Sequence, residues 1–345
     1  MTSTTAPVWR DLPKALLHEH LDGGLRPATL LELCRARGVD VPATDADALA
    51  LWMQNNANSG SLESYLRGFA VTVEAMATLP ACERVAFEAA EDAAADGCVL
   101  AEFRMAPLLL EPHGLPGAAV VEAVLAGLAR SRLRCGLIVC GMRTDTPGET
   151  LRSARLAAAY RDRGVIAFDL AGAERNFPPG DHAAAFALAR DAGLGITCHA
   201  GESDRGERVL EAAALGATRI GHGINIVRGD TRQQTADWVA RARERGLHFE
   251  VCPSSNVHTG AVSSLRVHPI REMVEAGLSV SCSTDNRLMS GVTLSAELDA
   301  LHARTRLTYR QLGGLMRAAA QASFLPRAER DTALAEIERG WAPFS

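Results

Sequence analysis

The sequence predicts a (β/α)8 barrel of the TIM type, and three observations predict it. Short apolar runs alternate eight times with alanine-rich helical patterns, the order that builds a parallel sheet with helical crossovers. Histidines and carboxylates stand at the C-terminal ends of several of those runs, where parallel α/β enzymes assemble their sites. No low-complexity linker interrupts the 345 residues, so residues 1–345 are expected to form one domain. A helical lid insertion after the first strand and extra C-terminal helices are expected outside the basic barrel.

The first run, residues 15–22, ends at Gly23 and Gly24, and a helix is expected over 27–37, rich in Ala, Leu and Glu. Residues 39–62 lose periodicity, and 55–60 (NNANSG) is expected to be an exposed loop. An insert of that length exceeds a simple connection, which suggests a lid. A helix is expected to start at Ser61, with Leu62, Tyr65, Leu66 and Phe69 on one apolar face. That stripe reads equally as core packing or as a wall facing a ligand. The remaining strands are expected at 98–106, 135–142, 165–172, 195–202, 219–223, 248–253 and 278–285. Helices are expected near 80–95, 117–131, 149–162, 181–192, 205–214, 231–245 and 267–276, with a C-terminal extension at 307–322 and 326–340.

Composition removes several classes of function. A net charge of -5, a pI near 6.1 and scattered arginines give no basic groove for nucleic acid. There is no run of about 18 apolar residues to span a bilayer and no signal-like opening, so a cytoplasmic location and no membrane partner are expected. The eight cysteines lie mostly in apolar runs without a CxxC pair, which suits reduced, buried thiols and leaves no cysteine-based metal site. The P-C-x-x-C half of the cytidine-type zinc deaminase signature is absent. So are GxxxxGK and a strand-linked GxGxxG.

The strand ends carry the chemistry. His18 and His20 are two apart on the first strand, so both side chains point into the lumen. Strand five ends at His199 and strand eight at Asp285, and in a barrel strand eight closes against strand one. Three imidazoles and one carboxylate then meet at one mouth, a donor set suited to a divalent ion such as zinc. Glu202 follows His199 by three residues, and His222 ends strand six between Gly221 and Gly223. A metal site with an extra histidine and a glutamate suits metal-assisted hydrolysis, in which His222 orients the water or takes its proton and Glu202 supplies an acid. His258, His268 and His302 fall outside this set, and His268 before Pro269 is expected to mark a helix entry.

The residues PKALLHEHLDGG (13–24), DLAG (169–172), HAGE (199–202), RIGHG (219–223), EVCPSSN (250–256) and STDN (283–286) resemble, in order, the motifs of adenosine deaminases within the amidohydrolase superfamily. The resemblance spans nearly the whole chain. It implies one zinc ion per subunit on His18, His20, His199 and Asp285, with water completing a five-coordinate site. It implies that Glu202 protonates ring nitrogen N1 as hydroxide attacks C6 of adenine, while His222 activates and holds the hydroxide, and ammonia leaves. It also implies that Gly172 meets the purine through its backbone, that Asp22 reaches the ribose 5′-hydroxyl, and that Tyr65, Leu66 and Phe69 form an apolar gate. The expected reaction is hydrolysis of adenosine or 2′-deoxyadenosine to the inosine form, with a small 6-aminopurine nucleoside and water as partners and the oligomeric state open. The alternative keeps the chemistry on another 6-aminopurine compound, such as 6-aminodeoxyfutalosine or adenine.

Three points depart from or extend the pattern. Many members carry a second aspartate where this chain has Asn286; an amide there can still donate to purine N7. Glu19 is expected to face away from the lumen and needs a cationic partner. The charged stretch 203–207 is expected to bear on what the substrate carries beyond its ribose. A catalytically dead barrel serving as a binding or signalling protein is the rival from another class; the joint presence of all ligand candidates with Glu202 and His222 speaks against it.

Overall fold

A computed structural model describes residues 8–41, 43–58, 60, 65 and 68–344. Eight strands form one sheet in sequential order: β1 (Lys14–His20), β2 (Cys98–Met105), β3 (Arg134–Met142), β4 (Val165–Ala171), β5 (Gly195–Ala200), β6 (Arg219–His222), β7 (His248–Val251) and β8 (Ser279–Cys282). Each pairs in parallel with the next. Asp285 closes the ring: its N–H donates to the His18 carbonyl (2.9 Å) and its carbonyl accepts from the His20 N–H (2.8 Å). The strands are buried almost throughout because helices cover the sheet outside and side chains fill it inside. This explains why they read as near-continuous apolar runs rather than as alternating ones.

The crossover helices begin where the sequence supplies caps. Thr78 accepts from the Ala81 N–H at the start of Leu79–Ala95, Thr146 from Glu149 before Pro147–Ala159, and Thr231 from Gln234 before Arg232–Glu244. The C-terminal helices Tyr309–Ala322, opened by a Thr308/Gln311 capping box, and Arg327–Trp341 follow the expected extension. Their junction reaches the barrel floor. Ser323 and the Phe324 N–H both donate to Glu102 at 2.6 Å, and the Arg219 guanidinium stacks on the Phe324 ring at 4.0 Å.

The barrel is thus as expected, and the differences lie at element ends and in the insertion. Strand β5 stops at Ala200 rather than 202, because Gly201 turns the chain at φ 72° and places Glu202 in the loop beyond. Strand β7 stops at Val251, and a short helix, Pro253–His258, begins where strand was expected. Strand β8 stops at Cys282, although Asp285 still bridges to β1. In the insertion, helix Ala46–Ala57, capped by Asp45, occupies much of the expected irregular stretch, including the first part of the loop expected at 55–60. The helix expected from Ser61 falls largely outside the described residues, Leu62 and Leu66 included; its continuation Phe69–Met76 is helical. Helix Leu294–Thr305 was not expected, although Leu294, Leu298, Leu301 and Thr305 form its buried face at helical spacing. All eight cysteines are unpaired, and all but Cys135 are buried. Among the described residues no helix is long and apolar enough to cross a membrane.

Candidate active site

The C-terminal mouth of the barrel brings His18, His20, His199 and Asp285 together, with one ligand atom of each within 4.8 Å of all the others. The Nε2 atoms of His20 and His199 face one another at 3.2 Å. Asp285 Oδ1 lies 3.4 Å from His18 Nε2 and 3.5 Å from His20 Nε2. Its other oxygen, Oδ2, accepts from the Ser255 hydroxyl at 2.5 Å, which leaves Oδ1 aimed at the imidazoles.

Whether this cluster fits a cation depends on where the ring protons sit. His18 Nδ1 lies 2.9 Å from Glu250 Oε2, and His199 Nδ1 lies 3.1 Å from Asp169 Oδ2. A carboxylate can only accept, so each Nδ1 carries the proton and each Nε2 keeps its lone pair. His18 Nε2 is buried and has no hydrogen-bond partner. Burial lowers His199 to about 4 against the pull of Asp169, and lowers His20 well below the usual histidine range. Burial and Arg104 act to lower His18 too, but the Asp285 and Glu250 carboxylates beside it turn the net shift upward; a cation would take the place of that proton. The donor set fits a divalent ion of the zinc type.

The orienting carboxylates are held from across the lumen. Arg104 on β2 donates to Asp169 on β4 (2.8 Å) and to Glu250 on β7 (2.6 Å), and Arg219 on β6 donates to Glu250 (2.6 Å) and Glu102 (2.6 Å). All five are essentially inaccessible. Burial would raise the Asp169 and Glu250 pKa values, but His199 and Arg104 around Asp169, and Arg104 and Arg219 around Glu250, outweigh it and hold both well below the usual carboxylate range. Gly221 permits the convergence: a Cβ there would meet His18 Cε1 at 3.0 Å and the His199 ring at 3.2 Å.

Glu202 and His222 stand beside the cluster, buried, with Glu202 Oε2 3.7 Å from His222 Nε2. Asn256 Nδ2 (2.8 Å) and Thr259 Oγ1 (2.9 Å) both donate to Glu202 Oε1. The backbone is pinned separately. The Glu174 carboxylate accepts from the N–H groups of Gly201, Glu202 (3.0 Å), Ser203 (2.8 Å) and Asp204 (3.0 Å), and Asn225 donates to the Glu202 carbonyl at 2.9 Å. His222 and Asp285 are non-glycine residues at φ 61° and 60°, a backbone region costing on the order of 1–3 kcal/mol each that persists where surroundings over-determine it.

A cavity of about 310 Å³ opens onto these groups. Asp22, Gly172, Asn286, Tyr65 and Phe69 all line it; Leu66 lies outside the described residues. Burial raises Asp22 to about 7. No Lys or Arg appears among the described lining residues, and Phe69, Val73, Leu109 and Met142 form an apolar wall. Residues 203–207 are absent from the described lining. Glu19 has its partner in Arg287 (2.6 Å), with Thr284 donating at 2.9 Å. The sequence reading gave no role to Glu250, Asp169, Arg104, Glu174 or Asn256. Asp169, Glu250 and Asn256 stood inside the quoted motifs, and that was the only signal.

A profile of the family described as adenosine deaminase matches residues 13–339. The chain is similar to the adenosine deaminase of Mycobacterium tuberculosis, 41% identical over 97% of this chain and 96% of that one. It is similar to that of Mycobacteroides abscessus, 45% identical over 83% of each. Among solved structures it resembles an adenine deaminase from Arthrobacter aurescens (26% identical, TM-score 0.86, covering 96% and 99% of the two chains) and an Arabidopsis N6-mAMP deaminase (25%, TM-score 0.83, 96% and 98%).

Proposed function

The chain belongs to the adenosine deaminase family, and from that premise we propose that residues 1–345 act as one catalytic domain. It hydrolyses adenosine or 2′-deoxyadenosine, with water, to inosine or 2′-deoxyinosine and ammonia. The observation that carries the reading is the pairing of the four-ligand cluster with a buried glutamate whose second oxygen is left for substrate.

His18, His20, His199 and Asp285 would hold one zinc ion, chosen by the three-imidazole, one-carboxylate donor set. Bound there, the ion supplies Lewis acidity that lowers the pKa of a water toward 7. Glu202 donates a proton from Oε2 to ring nitrogen N1, which drains electron density from C6, the carbon under attack. His222 holds the nucleophilic oxygen against that carbon from the neighbouring strand end. Gly172 meets the purine edge with its backbone, Asn286 donates to N7, and Asp22 takes the 5′-hydroxyl. Tyr65 and Phe69 close the apolar side and exclude water, which strengthens each of these contacts.

The cavity lining separates this substrate from its nearest rivals. An N6-mAMP deaminase handles a nucleotide, whereas this cavity has no Lys or Arg among its described lining and carries Asp22, Glu174 and Glu202, so a phosphate would find acidic groups and no Lys or Arg to pair with. The likeness to an adenine deaminase favours free adenine as the second reading, but leaves Asp22 without a hydroxyl to bind. A panel of adenosine, 2′-deoxyadenosine, adenine, AMP and 6-aminodeoxyfutalosine on zinc-loaded protein tests the choice. The two nucleosides should give the highest kcat/KM; preference for adenine, AMP or 6-aminodeoxyfutalosine would overturn the assignment while leaving the chemistry.

A further inference from the structure

The sequence marks His268 as a helix entry, and it is one: its Nδ1 accepts from the Ile270 N–H at 3.1 Å, at the start of Ile270–Glu275. Its other nitrogen faces inward. Nε2 lies 3.2 Å from Asn256 Oδ1, and Asn256 is the residue whose Nδ2 contacts Glu202 Oε1 (2.8 Å) and His222 Nδ1 (3.1 Å). Burial lowers His268 to about 3, so it is neutral in the working range. With Nδ1 occupied as an acceptor, its single proton is on Nε2 and is donated to Oδ1.

That one donation settles the rest in sequence. The Asn256 oxygen must face His268, so the amide nitrogen faces Glu202 and His222, and both of its protons are used there. His222 Nδ1 therefore accepts and carries no proton, which leaves the His222 proton on Nε2, the nitrogen 3.7 Å from Glu202 Oε2. Glu202 Oε1 receives donors from both Asn256 and Thr259, so Oε2 is the oxygen left to carry a proton to substrate. His268 is not among the described residues lining the cavity, and its hydrogen bonds run to Asn256 and Ile270.

We propose that Asn256, locked in one amide orientation by His268, is a positioning residue that sets which nitrogen of His222 bears its proton and which oxygen of Glu202 serves as the acid. Under this assignment His222 meets the nucleophile as a hydrogen-bond donor through Nε2. The inference rests on the function proposed above and adds to it a relay running from a remote imidazole to both proton-handling groups.

The test compares Asn256→Asp, His268→Phe and His268→Gln with wild type, reading kcat and KM separately, zinc content, and the histidine nitrogen NMR spectrum, with the His222 signals assigned by their loss in His222→Gln. Asn256→Asp keeps the shape but sets an oxygen against Glu202 and demands a proton on His222 Nδ1. It should lower kcat by roughly 10- to 100-fold, the usual cost of a supporting partner, with zinc retained, KM little changed and the His222 proton moved from Nε2 to Nδ1. His268→Phe should lower kcat in the same direction, and His268→Gln, which restores an amide donor, should recover most of it. A wild-type spectrum with the proton on Nδ1, or an Asn256→Asp protein with unaltered kcat, overturns the proposal. If His268→Phe does not fold, the near-isosteric Asn256→Asp decides alone. Wild type inactive on every purine of the panel would defeat the proposed function instead, and the nitrogen spectrum would still report the tautomer.

Discussion

The two halves of the site are supported by different physics. On one side, His18 and His199 are oriented by Glu250 and Asp169, which are locked by Arg104 and Arg219 inside the lumen. On the other, Glu202 and His222 are oriented by the Asn256 amide and the Thr259 hydroxyl, while the Glu174 carboxylate holds the backbone N–H groups around Glu202. The first half is a network of buried full charges, where removing one member strands its partners. The second is a network of neutral donors around two carboxylates, Glu202 and Glu174, where a change alters direction and proton placement more than stability. The difference teaches that ion binding and fold stability should fail together in this barrel, while proton transfer should fail alone.

The largest expected effect tests that coupling. Glu250→Gln leaves Arg104 and Arg219 without their shared counter-charge and weakens the hold on His18. It should cost about 3–5 kcal/mol in urea unfolding and lower zinc affinity by roughly 10- to 100-fold in chelator competition. A variant that lost zinc without losing stability would break the comparison. The same half sets the acid limit. The native pKa values of Asp169 and Glu250 are held down by their neighbours, so in the unfolded chain these groups bind protons first, at about pH 4. Their contribution is complete above that range and is lost as pH falls toward the depressed native values. The loss of unfolding free energy on Glu250→Gln, measured in the metal-free proteins, should therefore be nearly constant from neutrality to about pH 5 and shrink steeply below about pH 4; a loss that shrinks from neutrality downward would contradict it.

Smaller effects belong to the second half. Glu174→Gln replaces a carboxylate that accepts four backbone N–H groups by an amide that can oppose them with its own donors. It should lower kcat/KM by about tenfold, roughly the 1.4 kcal/mol of one charge-assisted bond, with zinc content unchanged. The smallest expected effect belongs to the proposed ribose contact. Asp22→Asn should raise KM for adenosine several-fold, within about 1 kcal/mol, and leave kcat and any activity on adenine nearly untouched; equal losses on both substrates would remove Asp22 from the ribose.

The barrel, its strand order and the cluster itself were legible because they depend on short-range pattern. Apolar runs announce strands, and His18, His20, His199, His222 and Asp285 stand at or next to their C-terminal ends. What was not legible depends on register across the lumen. His18 meets Glu250 across 232 positions and Glu19 meets Arg287 across 268, and no local spacing encodes either contact. Arg104 in β2 looked like one of many scattered arginines, and Glu174 and His268 sit in loops, where sequence periodicity is silent. Helix Leu294–Thr305 had a readable apolar face but follows the dense motif at strand eight and carries no chemistry of its own.

The separation of the two halves is tested most directly by zinc content and adenosine turnover measured on one preparation of Glu202→Gln. The account expects a full complement of zinc and a kcat lowered by about 10²- to 10⁴-fold, the range for losing a positioned acid. Loss of the metal together with turnover would make Glu202 part of the ligand set and contradict the division on which the proposed mechanism stands.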